Sequence, residues 1–400
     1  MTERTLTFGA THRVLVYQNI SSTSAPLNII LASEFDRASG FTGGGYGVGV
    51  FTTITTNGGD VWIGGGQLTG SWNGHTVGVG AAMGGGGANG VGAEISNATI
   101  GTNGGDVRIL GTSSGSPGIN AYWGNSTINA GAGNIELISD RMGFDFGGSW
   151  GDIQIDGTGY LALAPLESSF ANAVTWDGTL SNGYYTSTGG ANTIDGLKIK
   201  NTMGLIIGKP GNSAPLTIAS DIAINGPISF ESGSFTINSS VDLQTTAAGS
   251  DILVKANDYT PGPNATDGYI SFQGDNITTN GGDIILWANA SNRSSGSANN
   301  EIWLQGSSTL TSNGGKIVLA GGSDDGSNGG TASDGIPDGY AYRSGYGNSA
   351  IIINENVSLL SGGGDVIIHG HSGLAGDSGT PRSFGVWADA GFKLDAGTGT

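Results

Sequence analysis

The tripeptide Gly-Gly-Asp, set just before an alternating apolar strand, returns along this chain. It reads TTNGGDVWI at 55–63, GTNGGDVRI at 101–109, TTNGGDIIL at 278–286, TSNGGKIVL at 311–319 and SGGGDVIIH at 361–369. A unit this short cannot bury its own apolar face, so copies must stack on one another. That constraint predicts an all-β chain folded as a single-stranded parallel β-helix (a β-solenoid), with any function on its outside.

Composition supports the same class. Glycine makes up 77 of 400 residues, against roughly 7% in an ordinary protein, and so much glycine weakens helices throughout. Yet 36% of residues are hydrophobic, too many for a disordered linker. Short strands joined by Gly, Asn, Asp and Ser turns remain. The formal charge of -18 disfavours nucleic acid and anionic membrane surfaces as partners. Zero cysteines exclude disulfides, thiolate zinc sites and Cys nucleophiles. No apolar run is long enough to insert across a bilayer, and MTERTLTFGATHRVLV lacks the apolar region of a signal peptide.

The register of the repeat is legible. Ile54 precedes Val61 by seven, as do Ile100 and Val107, Ile128 and Ile135, Phe146 and Ile153, Ile277 and Ile284, Leu310 and Ile317, and Leu359 and Val366. Another apolar residue follows the second of each pair at +2, the strand period with one face buried. The expected core therefore includes Val61, Ile63, Val107, Ile109, Ile284, Leu286, Ile317, Leu319, Val366 and Ile368. The residue between is mixed (Trp62, Arg108, Glu136, Gln154, Ile285), which predicts a face turned to solvent. A further short strand before each unit completes a coil of three strands, as with Ile270 and Phe272, then Ile277, then Ile284 and Leu286.

The rest of each period is a loop: 64–93, 111–120, 289–300, 321–348 and 370–383. All leave after the same strand and are expected to project from one side. The pattern predicts one continuous coil over 1–400, with 171–192 as an inserted excursion. Leu394 opens a unit whose partner would fall beyond Thr400, so the chain reads as a piece of a longer protein.

The NGGD-[VI]-x-[IL] units, together with GLIIGKPGNSAPLTIASDIAINGPISF at 204–230, resemble the β-helical shafts of filamentous-haemagglutinin-like exoproteins and giant bacterial adhesins. The resemblance covers about 14–400. It implies a right-handed coil, exported and displayed at the bacterial cell surface or released outside the cell. It also implies a structural and adhesive role, not an enzymatic one, with attachment to a host or neighbouring-cell surface through glycan or matrix components. The alternative is a polysaccharide-binding or polysaccharide-cleaving β-helix. Cleavage needs gathered carboxylates or a basic groove, whereas here the aspartates are spread by the repeat and Lys and Arg total 14.

Several recurrent residues admit both a structural and a functional reading. Asn57, Asn103, Asn280 and Asn313 share one turn position. Asn tolerates the left-handed region, and stacked copies would form an amide ladder. Asp60, Asp106, Asp283 and Asp365 share another position, with Asp152 and Asp251. A calcium ladder is one reading. Turn capping is favoured, because Asn28, Asn134 and Lys316 occupy the same slot. In the loop 323–340, Asp324, Asp325, Asp334 and Asp338 offer a weak calcium site or a solvated turn. GTSSG at 111–115 matches a hydrolase elbow, but Pro117 forbids the helix that must follow. His369 and His371 read as an exposed strand end. Trp72, Trp123, Trp176, Tyr340 and Tyr342 lie in or beside loops, where aromatic rings either stack on a ligand or fold back onto the coil.

Overall fold

The structure is a computed structural model. It describes residues 2–33, 45–85, 90–113, 116–121, 124–143, 152–178, 180–181, 184–186, 197–256, 268–288, 301–343, 349–372 and 384–397. These fall into two compact units, Met1–Asn172 with Gly178–Ile206 and Ala173–Asp177 with Ile207–Thr400.

Both units are stacks of three-strand coils with parallel, in-register pairing. In the first unit, one wall runs Arg4–Ala10, Leu27–Ser33, Val61–Gly65, Val107–Thr112, Ile135–Ile138, Tyr160–Ala164. A second wall runs Val14–Val16, Val48–Val50, Ala93–Ile95, Ile119–Asn120, Met142–Gly143. A third runs Ile20–Ser21, Thr53–Thr55, Thr99–Gly101, Ser126–Gly131, Ile153–Gly157, Leu197–Lys200. One turn of the chain visits the second, third and first walls in that order, as Val48–Val50, Thr53–Thr55 and Val61–Gly65 do.

The second unit repeats the plan. Its first wall is Ile228–Ser232, Ile252–Ala256, Ile284–Ala288, Ile317–Gly321, Val366–Ile368. Its second is Val174–Trp176, Leu216–Ile218, Phe235–Ile237, Ile270–Gln273, Ile302–Gln305, Ile351–Ile353, Val386–Ala388. Its third is Ile222–Ile224, Asp242–Ala248, Asn276–Asn280, Thr309–Thr311, Ser358–Leu360, Lys393–Asp395. Part of the expected excursion 171–192 is therefore a wall strand of this unit. The rest falls in the first unit, where Tyr184–Thr186 pairs antiparallel with Leu197–Lys200. Among the described residues the helical element is the 3-10 turn Ser327–Gly329, and no helix is long and apolar enough to cross a membrane.

The inward positions are aliphatic, and like stacks on like. Val61 pairs with Val107 and Ile63 with Ile109, while Ile284 pairs with Ile317 and Leu286 with Leu319. All eight are buried, as expected. Val366 and Ile368 are half-buried, because the described residues place a paired strand on one side of them, at Ile317 and Leu319. In the second unit Phe230, Phe235 and Phe272 fill the interior, with ring centroids 5.2 and 6.2 Å apart.

Two expectations are corrected. Phe146 lies outside the described residues, and its supposed partner Ile153 sits on the third wall, facing Ser126 and Leu197. The first-wall strand of that coil is Tyr160–Ala164, where Leu161 pairs with Ile135. The turn between is one residue shorter, Gly157-Thr158-Gly159, so the seven-residue spacing fails there. The middle residues of the first wall are also not uniformly solvent-facing. Trp62 and Ile285 are buried, because loop segments fold back over the outside of the wall. The antiparallel hairpin Gly70–Trp72 with His75–Val77 packs Trp72 and Val77 on Ile30, Ala32 and Trp62. In the second unit Ile336 packs on the cluster of Ile285, Trp287, Val318 and Ala320.

Ile284 tests the interior directly. Ile284→Ala is expected to lower stability by about 2–5 kcal/mol, and Ile284→Asp by more, since a lone buried carboxylate has no partner there. Urea denaturation, with hydrogen exchange at strands 252–256, 284–288 and 317–321, reads the effect. Wild-type behaviour of the Asp variant would show that Ile284 does not face a dry core.

Candidate functional site

The repeated turn brings together most of the residues singled out in the sequence, and each position has a separate physical task. It begins with a hydroxyl the sequence reading overlooked. Thr56, Thr102, Thr279, Ser312 and Ser361 are buried. Each donates its side-chain O–H to the carbonyl three residues on, at Gly59, Gly105, Gly282, Gly315 and Gly364. The signal was present as the Thr or Ser that precedes the Asn-Gly-Gly or Gly-Gly-Gly of each of these five turns. A buried hydroxyl that finds a carbonyl avoids a desolvation penalty of about 1–3 kcal/mol.

Next comes the asparagine. Asn57, Asn103 and Asn313 have φ of 52°, 55° and 53°, and the glycines after them 96°, 117° and 114°. Positive φ at both central positions is what a type I′ turn requires. Asn280 differs: it ends the strand Asn276–Asn280, and Gly281 alone is left-handed, at 82°. The expected amide ladder takes another form. Asn280 Nδ2 donates to the Thr246 carbonyl at 2.9 Å, and Asn313 Nδ2 to the Thr279 carbonyl at 2.6 Å. Both bond to backbone of the preceding coil, not to each other.

The second glycine is fixed by proximity. A Cβ at Gly105 would lie 2.2 Å from the Gly59 carbonyl oxygen, and one at Gly133 would lie 2.1 Å from that of Gly105. In the second unit a Cβ at Gly315 or at Gly364 would lie 2.1 Å from the glycine oxygen one coil earlier. At these glycines no side chain fits, although Leu27 and Ser250 hold the same place in the coils before Gly59 and Gly282.

The aspartate slot is a ladder of caps. The Asp60 N–H donates to Asn28 Oδ1, Asp106 N–H to Asp60 Oδ1 and Asn134 N–H to Asp106 Oδ1, each at 2.8 Å. In the second unit the Asp283 N–H donates to Asp251 Oδ1 at 2.7 Å, and Lys316 N–H to Asp283 Oδ1 at 2.6 Å. Each side-chain oxygen thus holds the backbone of the next coil, which explains why Asn serves as well as Asp. Asp365 lies beyond Lys316, whose ammonium has no lone pair to accept a hydrogen bond. Asp152 is elsewhere, pairing with Lys198 on the third wall. Asp60 and Asp106 also accept Asn73 Nδ2 through Oδ2, each at 2.9 Å. Burial raises the pKa of Asp251, opposed by the Asp283 N–H and reinforced by the Asp283 charge.

The four carboxylates of 323–340 do not converge. Asp324 accepts the Gly335 N–H at 2.9 Å, Asp325 the Ser327 N–H at 3.0 Å, Asp334 the Ile336 N–H at 3.0 Å and Asp338 the Gly326 N–H at 2.6 Å. Asp325 and Asp334 close local turns, while Asp324 and Asp338 tie the two ends of the loop. Among the described residues no three His, Asp or Glu side chains gather in a way that could hold a metal ion.

The aromatic residues separate. Trp72 is 8% and Trp176 1% exposed, so neither is offered to a ligand. Trp72 is sandwiched by its hairpin against the first wall, with the Arg108 guanidinium 5.2 Å from its ring, and Trp176 faces the interior beside Ile218. Trp123 lies outside the described residues. Tyr340 and Tyr342 form a surface cluster with the two histidines. Tyr342 stacks on His371 at 5.2 Å, and Tyr340 lies 5.7 Å from His369. Two exposed tryptophans were missed: Trp303 and Trp387, on the outer face of the second wall.

Asp275 is an interior carboxylate outside the repeat. Burial pushes its pKa up to about 6, opposed by N–H bonds from Gln273, Val241 and Ser240 and reinforced by the Asp242 charge. The native state therefore holds its proton more tightly than the unfolded chain. Stability contributed by that proton is present below about pH 4 and is expected to fall by about 1–3 kcal/mol as pH rises to about 6. Asp275→Asn should flatten this window in pH-dependent urea melts. For the ladder, Asp106→Ala is expected to lower stability by about 1–3 kcal/mol, whereas Asp106→Asn keeps the acceptor and should stay near wild type. Equal losses in both variants would mean that charge, not the acceptor, matters.

Comparison with protein-family models, with curated proteins and with solved structures finds no match.

Proposed function

We propose that the chain is a structural and adhesive scaffold, part of the shaft of a large bacterial protein that is secreted or held at the cell surface. The observation that carries this reading is the use of the recurrent polar groups. The turn hydroxyls close each turn and reach the next coil, and the amides and carboxylates hold coil to coil. A site that performs chemistry needs groups left over from such work and gathered on one reacting centre. What the coils offer to the outside is a series of in-register rows, each repeating one side chain per coil. Regular outward rows suit attachment to extended surfaces of cells, glycans or matrix. The pattern that resembles filamentous-haemagglutinin-like shafts supports the same reading through its residues.

Cleavage of polysaccharide is the competing reading, and one experiment separates the two. Beads coated with the folded chain are expected to adhere to bacterial or host-cell layers better than beads coated with heat-denatured chain. The same preparation should release no new reducing ends and no unsaturated products from pectin or alginate. Release above the level of a buffer control would replace the scaffold reading with an enzymatic one, and equal adhesion of both bead sets would remove attachment.

A further inference from the structure

We infer that the outer face of the second wall in the second unit is a binding platform for a neutral, extended β-1,4-linked polysaccharide, carried by Trp303 and Trp387. The pairing is in register: Ser271 faces Trp303, Trp303 faces Ile352 and Ile352 faces Trp387. Alternate residues of a strand point to one face. The neighbours of Trp303 and Ile352, namely Ile302, Leu304, Ile351 and Ile353, are fully buried, so these two point out, and the register carries Trp387 onto the same face, although Val386 and Ala388 beside it are exposed as well. Trp303 is 37% exposed between two buried residues, and Trp387 is 44% exposed in a strand that the described residues pair on one side.

The two rings are two coils apart, about 10 Å at the spacing of neighbouring strands. That matches the length of one disaccharide in an extended β-1,4-linked chain, in which every second sugar presents the same face. Ile352 supplies an apolar floor between them. Aromatic faces hold sugars through their C–H surfaces, an interaction that needs flat, exposed rings.

A polar row runs beside the aromatic one. Gln305 follows Trp303 by two residues, Asn354 follows Ile352 by two and Asp389 follows Trp387 by two. It engages the rings by their edges: Trp303 Nε1 donates to Asn354 Oδ1 at 3.4 Å, and Trp387 Nε1 to Asp389 Oδ1 at 2.6 Å. Phe384 packs edge-on against Trp387 at 5.0 Å. These contacts steady the rings without covering them. Amides and a carboxylate suit the hydroxyls of a neutral sugar. Neither row contains Lys or Arg, and the chain carries -18, so a polyanionic glycan is repelled. Charge thus selects the neutral polymer.

This goes beyond the scaffold reading and is tested separately from it. The full chain is mixed with microcrystalline cellulose and with chitin, with pectin and alginate as anionic comparators, and its depletion from solution is measured. Depletion by at least one neutral probe is expected. W303A and W387A should each weaken it by about tenfold, and the double variant should abolish it. Thr217→Ala, on the same outward row but remote from the rings, should bind as wild type. Unchanged melting of the variants shows that the coil is intact. Failure of both neutral probes to deplete the chain, wild-type binding by the double variant, or preference for pectin or alginate would overturn the assignment. So would a dimer in sedimentation that the double variant disperses, since the face would then be a contact between two copies. Adhesion of coated beads to cells remains a separate readout of the scaffold reading.

Discussion

Everything in this structure depends on how closely one coil can approach the next at the turn into the first wall. Parallel in-register pairing brings successive backbones to roughly 4.8 Å. At Gly59, Gly105 and Gly133, and again at Gly282, Gly315 and Gly364, the approach leaves no room for a Cβ. The recurrent feature of the repeat is therefore a steric one, with Leu27 and Ser250 as the exceptions. Hydrophobic burial supplies the driving force, but many aliphatic patterns would supply it. The glycine column decides that the strands stack directly above one another.

Once that approach is fixed, the surrounding residues follow. The left-handed residue before the close glycine turns the chain through the corner. The buried hydroxyl closes the turn from inside, and the Asp or Asn after it bonds forward to the next coil. A parallel sheet gets no hairpin to set its register, so the register is set at the corners. Like residues then meet like along the interior, and small mismatches such as Phe230, Phe235 and Phe272 are absorbed by ring stacking.

The fold was largely legible because the corner carries its own code. Gly-Gly-Asp with flanking aliphatics located the first wall in both units. The coil at Ile153 was misread because SWGD imitates the corner, while the true corner, Gly157-Thr158-Gly159, has lost a residue. The burial of Trp62 was not legible, since a hairpin that folds back leaves no trace in strand periodicity, whereas folding back was one of the two readings held open for Trp72. Trp303 and Trp387 were readable in principle. EIWLQ and GVWAD each place a tryptophan between two apolar residues at strand spacing, which fixes its direction. Asp60, Asp106, Asp251 and Asp283 bond forward to the backbone of the next coil, a direction that needed coordinates.

The connection from the first wall to the second is the one edge of the coil without a recurring code. It is short between Ile135–Ile138 and Met142–Gly143, and long between Ile317–Gly321 and Ile351–Ile353. Pairing resumes in register after both. Because the next glycine corner re-establishes alignment independently, length at this edge is uncoupled from stacking. It is a natural port for grafting: foreign peptide inserted there meets a scaffold that neither stretches nor slips, and lineages can diversify what they display without renegotiating how they fold.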